Sequence, residues 1–120
     1  MSNCVLIVED HEGTREALAL LLQAAGYTTA EVPDGRAALA FLHTHPLPRL
    51  ILLDLMMPVM DGWEFLRERR KEPDLARVPV VLFTAAGGLD ASAVWALGAN
   101  DVLHKPADPD DLLAAAGRYC

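Results

Sequence analysis

Ile51-Leu52-Leu53-Asp54-Leu55-Met56-Met57-Pro58-Val59-Met60-Asp61-Gly62 is the stretch on which the fold turns. Its first residues are apolar with no polar alternation, the pattern of a strand covered on both faces. Asp54 closes that run, so its carboxylate stands at the strand's carboxyl end, the edge where open α/β sheets bind ligands. Pro58 and Gly62 then enforce an irregular loop before the next helix. From this stretch alone two roles are open to Asp54: a carboxylate aimed into a crevice, or a cap on the turn that follows.

A second apolar run, Cys4-Val5-Leu6-Ile7-Val8, also ends in acids, Glu9 and Asp10. Side by side, the two strands would gather Glu9, Asp10 and Asp54 at one edge. Like charges that close repel and raise one another's pKa. A divalent cation removes that cost, and hard oxygen donors suit Mg2+. The competing role for Glu9 and Asp10 is negative charge at a helix N-terminus.

Outward from these runs, apolar spacing predicts a helix over 13–25, with Leu18, Leu21, Leu22 and Ala25 inward and Gly26 as its stop. Thr28–Val32 reads as a short, less buried strand near an edge, and Pro33-Asp34-Gly35 as a turn. A second helix is expected over 36–44, broken by Pro46 and Pro48. A third, over 62–71, is anchored by Trp63, Phe65 and Leu66, and its Arg67, Arg69, Arg70 and Lys71 read as a solvated helix end. Residues 73–79 read as a loop, 80–83 as a buried strand ending at Thr84, and 91–97 as a short helix stopped by Gly98. Residues 102–104 form a last strand ending at Lys105-Pro106, and Pro109 opens a final helix with Leu112, Leu113 and Ala116 inward. Strict alternation of strand and helix predicts a flavodoxin-like, doubly wound α/β fold. It would have a five-stranded parallel sheet of order 2-1-3-4-5, five helices on both faces, and a site where the first and third strands meet.

The chain of 120 residues suits one domain over 1–120. Its net charge of −7, from 17 acids against 10 Lys and Arg, argues against direct nucleic-acid binding, which needs a basic footprint. Cys4 and Cys120 have neither metal-ligand spacing nor a disulfide framework, which points to a reduced, cytoplasmic setting. No apolar run approaches the roughly 18 residues of a membrane span. No Gly-rich loop follows the first strand, and Glu9-Asp10-His11-Glu12 would repel a phosphate without a metal, which argues against a Rossmann or Walker-type nucleotide site.

Glu9, Asp10, Asp54, Thr84 and Lys105 each end a predicted strand. Gathered at one edge, they make a phosphoryl-transfer set: a carboxylate to attack phosphorus, with a metal, a lysine and a hydroxyl to neutralise its oxygens. The pieces Val8-Glu9-Asp10, Asp54 through Gly62, Phe83-Thr84-Ala85 and Lys105-Pro106 resemble, at the family's spacing and over nearly the whole chain, the receiver domain of two-component response regulators, the CheY-like superfamily.

The resemblance implies that Asp54 is the phosphoacceptor, charged by a histidine kinase or a histidine phosphotransfer protein. It implies that Asp10, Asp54 and the Met56 backbone carbonyl bind Mg2+ and that Glu9 acts through a water. Thr84 would hydrogen-bond the phosphoryl group and Lys105 would pair with it. The family's Lys-Pro bond is usually cis, so a cis bond is expected at Lys105-Pro106.

Three departures stand out. Val102 occupies the position of the family's switching Tyr or Phe, which shifts the expected output to the loop after Thr84 and the 91–97 helix. Met56 and Ala86, at the positions that tune the hydrolytic water, cannot orient it by hydrogen bonding, which implies a long-lived phosphoryl group. The 91–97 helix has no Lys or Arg, and Ala114, Ala115 and Ala116 leave the last helix bare until Arg118. A charged dimer through these helices and the last strand is therefore not expected, while Val94, Trp95 and Leu97 leave room for an apolar homodimer.

Two other classes fit the sequence less well. An aspartate-nucleophile phosphatase of the haloacid-dehalogenase type needs an acid at position 56 and a cap domain. A binding module that has lost phosphorylation would not need the complete acid, Thr and Lys set. The sequence names neither the kinase nor the effector, and it fits a stand-alone receiver or a piece of a longer protein equally.

Overall fold

The two apolar runs form the centre of the sheet because their residues have no polar side chain to turn toward water. In the computed structural model, which describes residues 4–85 and 91–120, they are β1 (Cys4–Val8) and β3 (Leu50–Leu53), paired in parallel with Val8 opposite Leu53. The strands β2 (Thr28–Val32), β4 (Val80–Thr84) and β5 (Asp101–His104) complete a five-stranded parallel sheet of order β2-β1-β3-β4-β5. That is the predicted 2-1-3-4-5 order, with the less buried Thr28–Val32 strand at an edge.

The helices α1 (Glu12–Ala24), α2 (Gly35–Thr44), α3 (Gly62–Arg70), α4 (Pro73–Ala76), α5 (Ala91–Ala96) and α6 (Pro109–Tyr119) cover both faces. Successive strand side chains point to opposite faces, and the core divides accordingly. Val5, Ile7, Leu50, Leu52, Val81 and Phe83 pack against Leu18 and Leu22 of α1 and Leu112 and Ala116 of α6. Leu6, Val8, Ile51, Leu53, Val80 and Leu82 pack against Leu42 of α2, Phe65 and Leu66 of α3 and Val94 of α5.

Several expectations shift by a residue or a side chain. Gly35 begins α2 instead of closing a turn, because Asp34 Oδ1 caps it by accepting the Ala37 N–H at 2.8 Å. In α1 it is Ala19 that is buried beside Leu18 and Leu22, with Leu21 half-buried and Ala25 exposed; in α6 Ala115 is buried and Leu113 half-buried. Trp63 is half-buried while Phe65 and Leu66 carry the core contact of α3. Trp95 is exposed and Val94 fully buried, so of the apolar residues named on α5, Val94 faces the core.

Two expectations fail. The segment expected to be a loop contains the one-turn α4, started by Pro73 at its first position, so the described residues hold six helices where five were predicted. The basic end of α3 is not uniformly solvated. Arg69 is 2% exposed, and its Nη2 donates to the carbonyls of Ala76 (2.9 Å) and Val78 (2.6 Å). Burial pulls its pKa down from the usual guanidinium value, and its Nε has no partner among the described residues. Arg70 also reaches a carbonyl, that of Ala96 at the end of α5, at 2.8 Å. The guanidinium of Arg69 therefore takes up backbone groups that α4 and the approach to β4 leave open. Arg69→Ala should cost about 3 kcal/mol through lost packing and orphaned carbonyls. Arg67→Ala, on the exposed face, should cost less than about 0.5 kcal/mol. Urea denaturation separates the two, and equal midpoints would refute the role given to Arg69.

No helix of the described residues is long and apolar enough to cross a membrane.

Candidate functional site

Parallel strands end at one edge, and here each end is tied to its neighbour. The Asp54 N–H donates to Val8 O at 3.0 Å, the Glu9 N–H to Val32 O at 3.1 Å, and the Lys105 N–H to Thr84 O at 2.9 Å. These backbone bonds hold Glu9, Asp54, Thr84 and Lys105 at the carboxyl edge of β1, β3, β4 and β5. Asp10 stands beside them, exposed, and carboxylate oxygens of Glu9, Asp10 and Asp54 lie within 4.8 Å of one another.

Lys105 is the cation of the group. Its Nζ donates to Glu9 Oε2 at 2.8 Å and to Asp54 Oδ2 at 3.1 Å. Both acids are nearly inaccessible, Glu9 at 2% and Asp54 at 4%, and Thr84 is fully buried. The two oxygens of Asp54 have different partners. Oδ1 caps the turn by accepting the Met56 N–H at 3.1 Å, while Oδ2 faces the lysine.

His11 caps α1, its Nδ1 accepting the Thr14 N–H at 3.1 Å. Glu9 is further held by the His11 N–H on Oε1 (3.3 Å) and by Arg15 Nη1 on its carbonyl (2.9 Å).

Charge in this cluster does not balance. Burial pushes the Glu9 carboxyl above its usual range, the Lys105 hydrogen bond opposes that, and the Asp54 charge adds to it. Partial burial acts to lower the Lys105 pKa, but hydrogen bonds and charge from Glu9 and Asp54 outweigh it and hold the ammonium above its ordinary value. One lysine thus serves two buried carboxylates, with Asp10 adjoining. Three clustered hard oxygen donors with surplus negative charge fit a divalent cation of the Mg2+ type.

The loop after Asp54 is shaped by close approach. The Met60 N–H donates to Pro58 O at 2.8 Å, a γ-turn whose central residue, Val59, has φ +68°. A β-branched residue in that region is strained. Gly62, at the start of α3, lies against the strand tip; a Cβ there would come within 2.6 Å of Asp54 O and 2.7 Å of Leu55 Cα. The side chain of Met56 is exposed and that of Met57 buried. Lys105-Pro106 is cis. Ala86 lies outside the described residues.

One neighbour of the site was not singled out from the sequence. Phe83 places its ring 5.3 Å from Lys105 Nζ. Its position one residue before Thr84 at a strand tip was the available signal; the lysine's approach to it depends on the path of the chain after β5.

Buried carboxylates beside a charged lysine and a hydroxyl suit nucleophilic attack on an electrophile whose oxygens carry negative charge. The sequence matches the family described as the response regulator receiver domain over residues 5–117. It is 39% identical to a probable transcriptional regulator, ycf27, of Galdieria sulphuraria over 92% of this chain, and spans 42% of that relative's length. Chemotaxis response regulator CheY4 of Vibrio cholerae superposes with a TM-score of 0.89 at 31% identity, each chain covered in full. The signal receiver domain of a signal transduction histidine kinase from Syntrophus aciditrophicus superposes with a TM-score of 0.85 at 36% identity, over 97% of this chain and 88% of that one. With the predicted strand order and the acid cluster at its edge, these matches identify the chain as a member of the response regulator receiver family of two-component systems, with the CheY-like fold.

Proposed function

We propose that the chain is a phosphorylation-driven switch, a single receiver domain over 1–120, in which Asp54 accepts a phosphoryl group from a histidine kinase or a histidine phosphotransfer protein in the cytoplasm. The observation that carries this is the Lys105 ammonium bridging Asp54 Oδ2 and Glu9 Oε2 beside Asp10. In the transfer, an Asp54 carboxylate oxygen forms a bond to phosphorus as the bond from phosphorus to the donor imidazole nitrogen breaks. The nitrogen keeps the electron pair and is protonated by solvent.

Lys105 and the Thr84 hydroxyl orient and neutralise the phosphoryl oxygens. Asp10, Asp54 and the Met56 carbonyl would hold Mg2+, with Glu9 acting through a water. When bound, the ion supplies charge neutralisation at the carboxylates and at the phosphoryl oxygens. Output runs through the loop after Thr84 and α5 to an effector domain or protein. Asp101 and Arg118 are already paired within the chain at 2.7 Å, which argues against a charged homodimer across β5 and α6. Trp95, half exposed, is a large apolar residue on α5 available to a partner.

The chain should gain one phosphoryl group in intact mass on incubation with acetyl phosphate and Mg2+, and Asp54→Asn should gain none. Equal gains would sink the assignment of Asp54. The exposed thioether of Met56 cannot orient a hydrolytic water, so the phosphorylated peak should decay slowly. A half-life of seconds would contradict that.

A further inference from the structure

The family's switching aromatic is replaced by Val102, yet an aromatic ring stands next to the site from the opposite layer. Leu82 packs into the layer of α2, α3 and α5, whereas Phe83 packs into that of α1 and α6. Val102 belongs to the α5 layer. Phe83 is nearly inaccessible, so neighbours hold its ring in place, and Lys105 Nζ lies 5.3 Å from the ring centroid. An ammonium within about 6 Å of an aromatic face is attracted by the ring quadrupole, and more strongly where water is partly excluded. The same ring and lysine line a groove of about 830 Å3 between α1 and α6, with Leu18, Pro106 and Leu112. No aliphatic side chain at 83 would reproduce the attraction.

We propose that Phe83 is a positioning residue for Lys105: its ring face holds the ammonium at the Glu9–Asp54 edge, so the lysine's aim is set from the α1–α6 layer and not through residue 102. The consequence for phosphorylation rests on the functional role of Lys105 given above; the positioning itself does not. A long, flexible lysine loses rotamer freedom when it is aimed, and a ring that restricts it beforehand lowers that cost in the transfer step.

The test compares wild type with Phe83→Leu, Phe83→Tyr and Phe83→Trp, each confirmed as folded by circular dichroism. The chain has two lysines, Lys71 and Lys105, so 13C-labelled lysine gives a spectrum of two ε-methylenes, with exposed Lys71 as the internal reference. In wild type without metal or phosphodonor, the Lys105 ε-protons should be ring-current shifted upfield. The shift should vanish in Phe83→Leu and persist in the Tyr and Trp variants. With acetyl phosphate and Mg2+, Phe83→Leu should be phosphorylated about three- to tenfold more slowly, and Tyr and Trp should restore the rate to within about twofold.

An unchanged ε-shift in Phe83→Leu, an unchanged rate, or a slowed rate that neither ring variant rescues would each overturn the proposal. If acetyl phosphate does not phosphorylate wild type, the ε-shift alone decides whether Phe83 positions Lys105, and Asp54 phosphorylation is then sought with a histidine kinase as donor.

Discussion

Lys105→Met should slow phosphorylation of Asp54 by about a hundredfold and destabilise the metal-free protein by about 2 kcal/mol. Methionine keeps most of the length and the apolar stem, so the loss reports the charge. Without the ammonium, Glu9 and Asp54, at 2% and 4% exposure, are left as adjoining carboxylates without their ion-pair partner. Orphaning a fully buried charge costs about 3–5 kcal/mol. The lower figure allows for solvent, since the lysine side chain is 21% exposed.

The pH dependence has a definite sign. An acid whose folded-state pKa is raised binds its proton more tightly when folded. Stability is then highest below its unfolded pKa and falls as pH rises toward the folded value. Burial already raises Glu9 in this direction, and removing Lys105 removes the hydrogen bond that opposes it. The deficit of Lys105→Met should therefore be small near the unfolded pKa of Glu9 and grow as pH rises toward neutrality. Added Mg2+ should recover stability, because an ion that binds the folded state shifts the equilibrium toward it, while the transfer rate stays low. Urea denaturation in EDTA and in Mg2+, beside the acetyl phosphate assay, reads all three effects. A variant as stable as wild type in EDTA at neutral pH would refute the bridging role of Lys105.

Gly62→Ala should destabilise the fold by about 3 kcal/mol and displace Asp54 from the edge. The cause is contact, not backbone conformation. The Gly62 N–H donates to Leu55 O at 3.0 Å, and Asp61 Oδ1 caps α3 by accepting the Glu64 N–H at 2.9 Å. These bonds press the helix start onto the strand tip. A Cβ would meet Asp54 O at 2.6 Å and Leu55 Cα at 2.7 Å, and both are backbone atoms that cannot rotate away. Either α3 lifts off or the Asp54 backbone shifts; both loosen the site. Gly117→Ala, within α6, is the control. A Cβ there meets only Tyr27 Oη, at an ordinary 3.7 Å, and alanine favours the helix. The urea midpoint should fall for Gly62→Ala and hold or rise for Gly117→Ala. Equal midpoints would refute the close-approach account.

The sheet and its working edge were legible because buried strands carry a local signal. Val5 through Val8 and Ile51 through Leu53 have no polar alternation, and right-handed crossovers leave few ways to join strands separated by helices. The acids, threonine and lysine end those strands, so placing the strands placed the residues. Arg69 and Phe83 were not placed in this way. Arg69 follows Leu66 by three positions and Phe65 by four, on the same helical stripe. Its spacing pointed inward while its charge pointed outward. The contest was decided by the carbonyls of Ala76 and Val78, which the turn into α4 and the segment after it bring back over the end of α3. The one-turn α4 has too few residues for a periodicity to show.

By itself, then, the sequence determined the strand order and the edge at which Glu9, Asp10, Asp54, Thr84 and Lys105 meet, both from patterns repeated along the chain, and its motifs carried the resemblance to the receiver family. The tertiary structure decided how the charges there are shared: one lysine between two buried acids, one capping oxygen on Asp54, one ring beside the ammonium. Such pairings depend on distances between segments as much as 96 residues apart, and no local pattern encodes a distance of that kind.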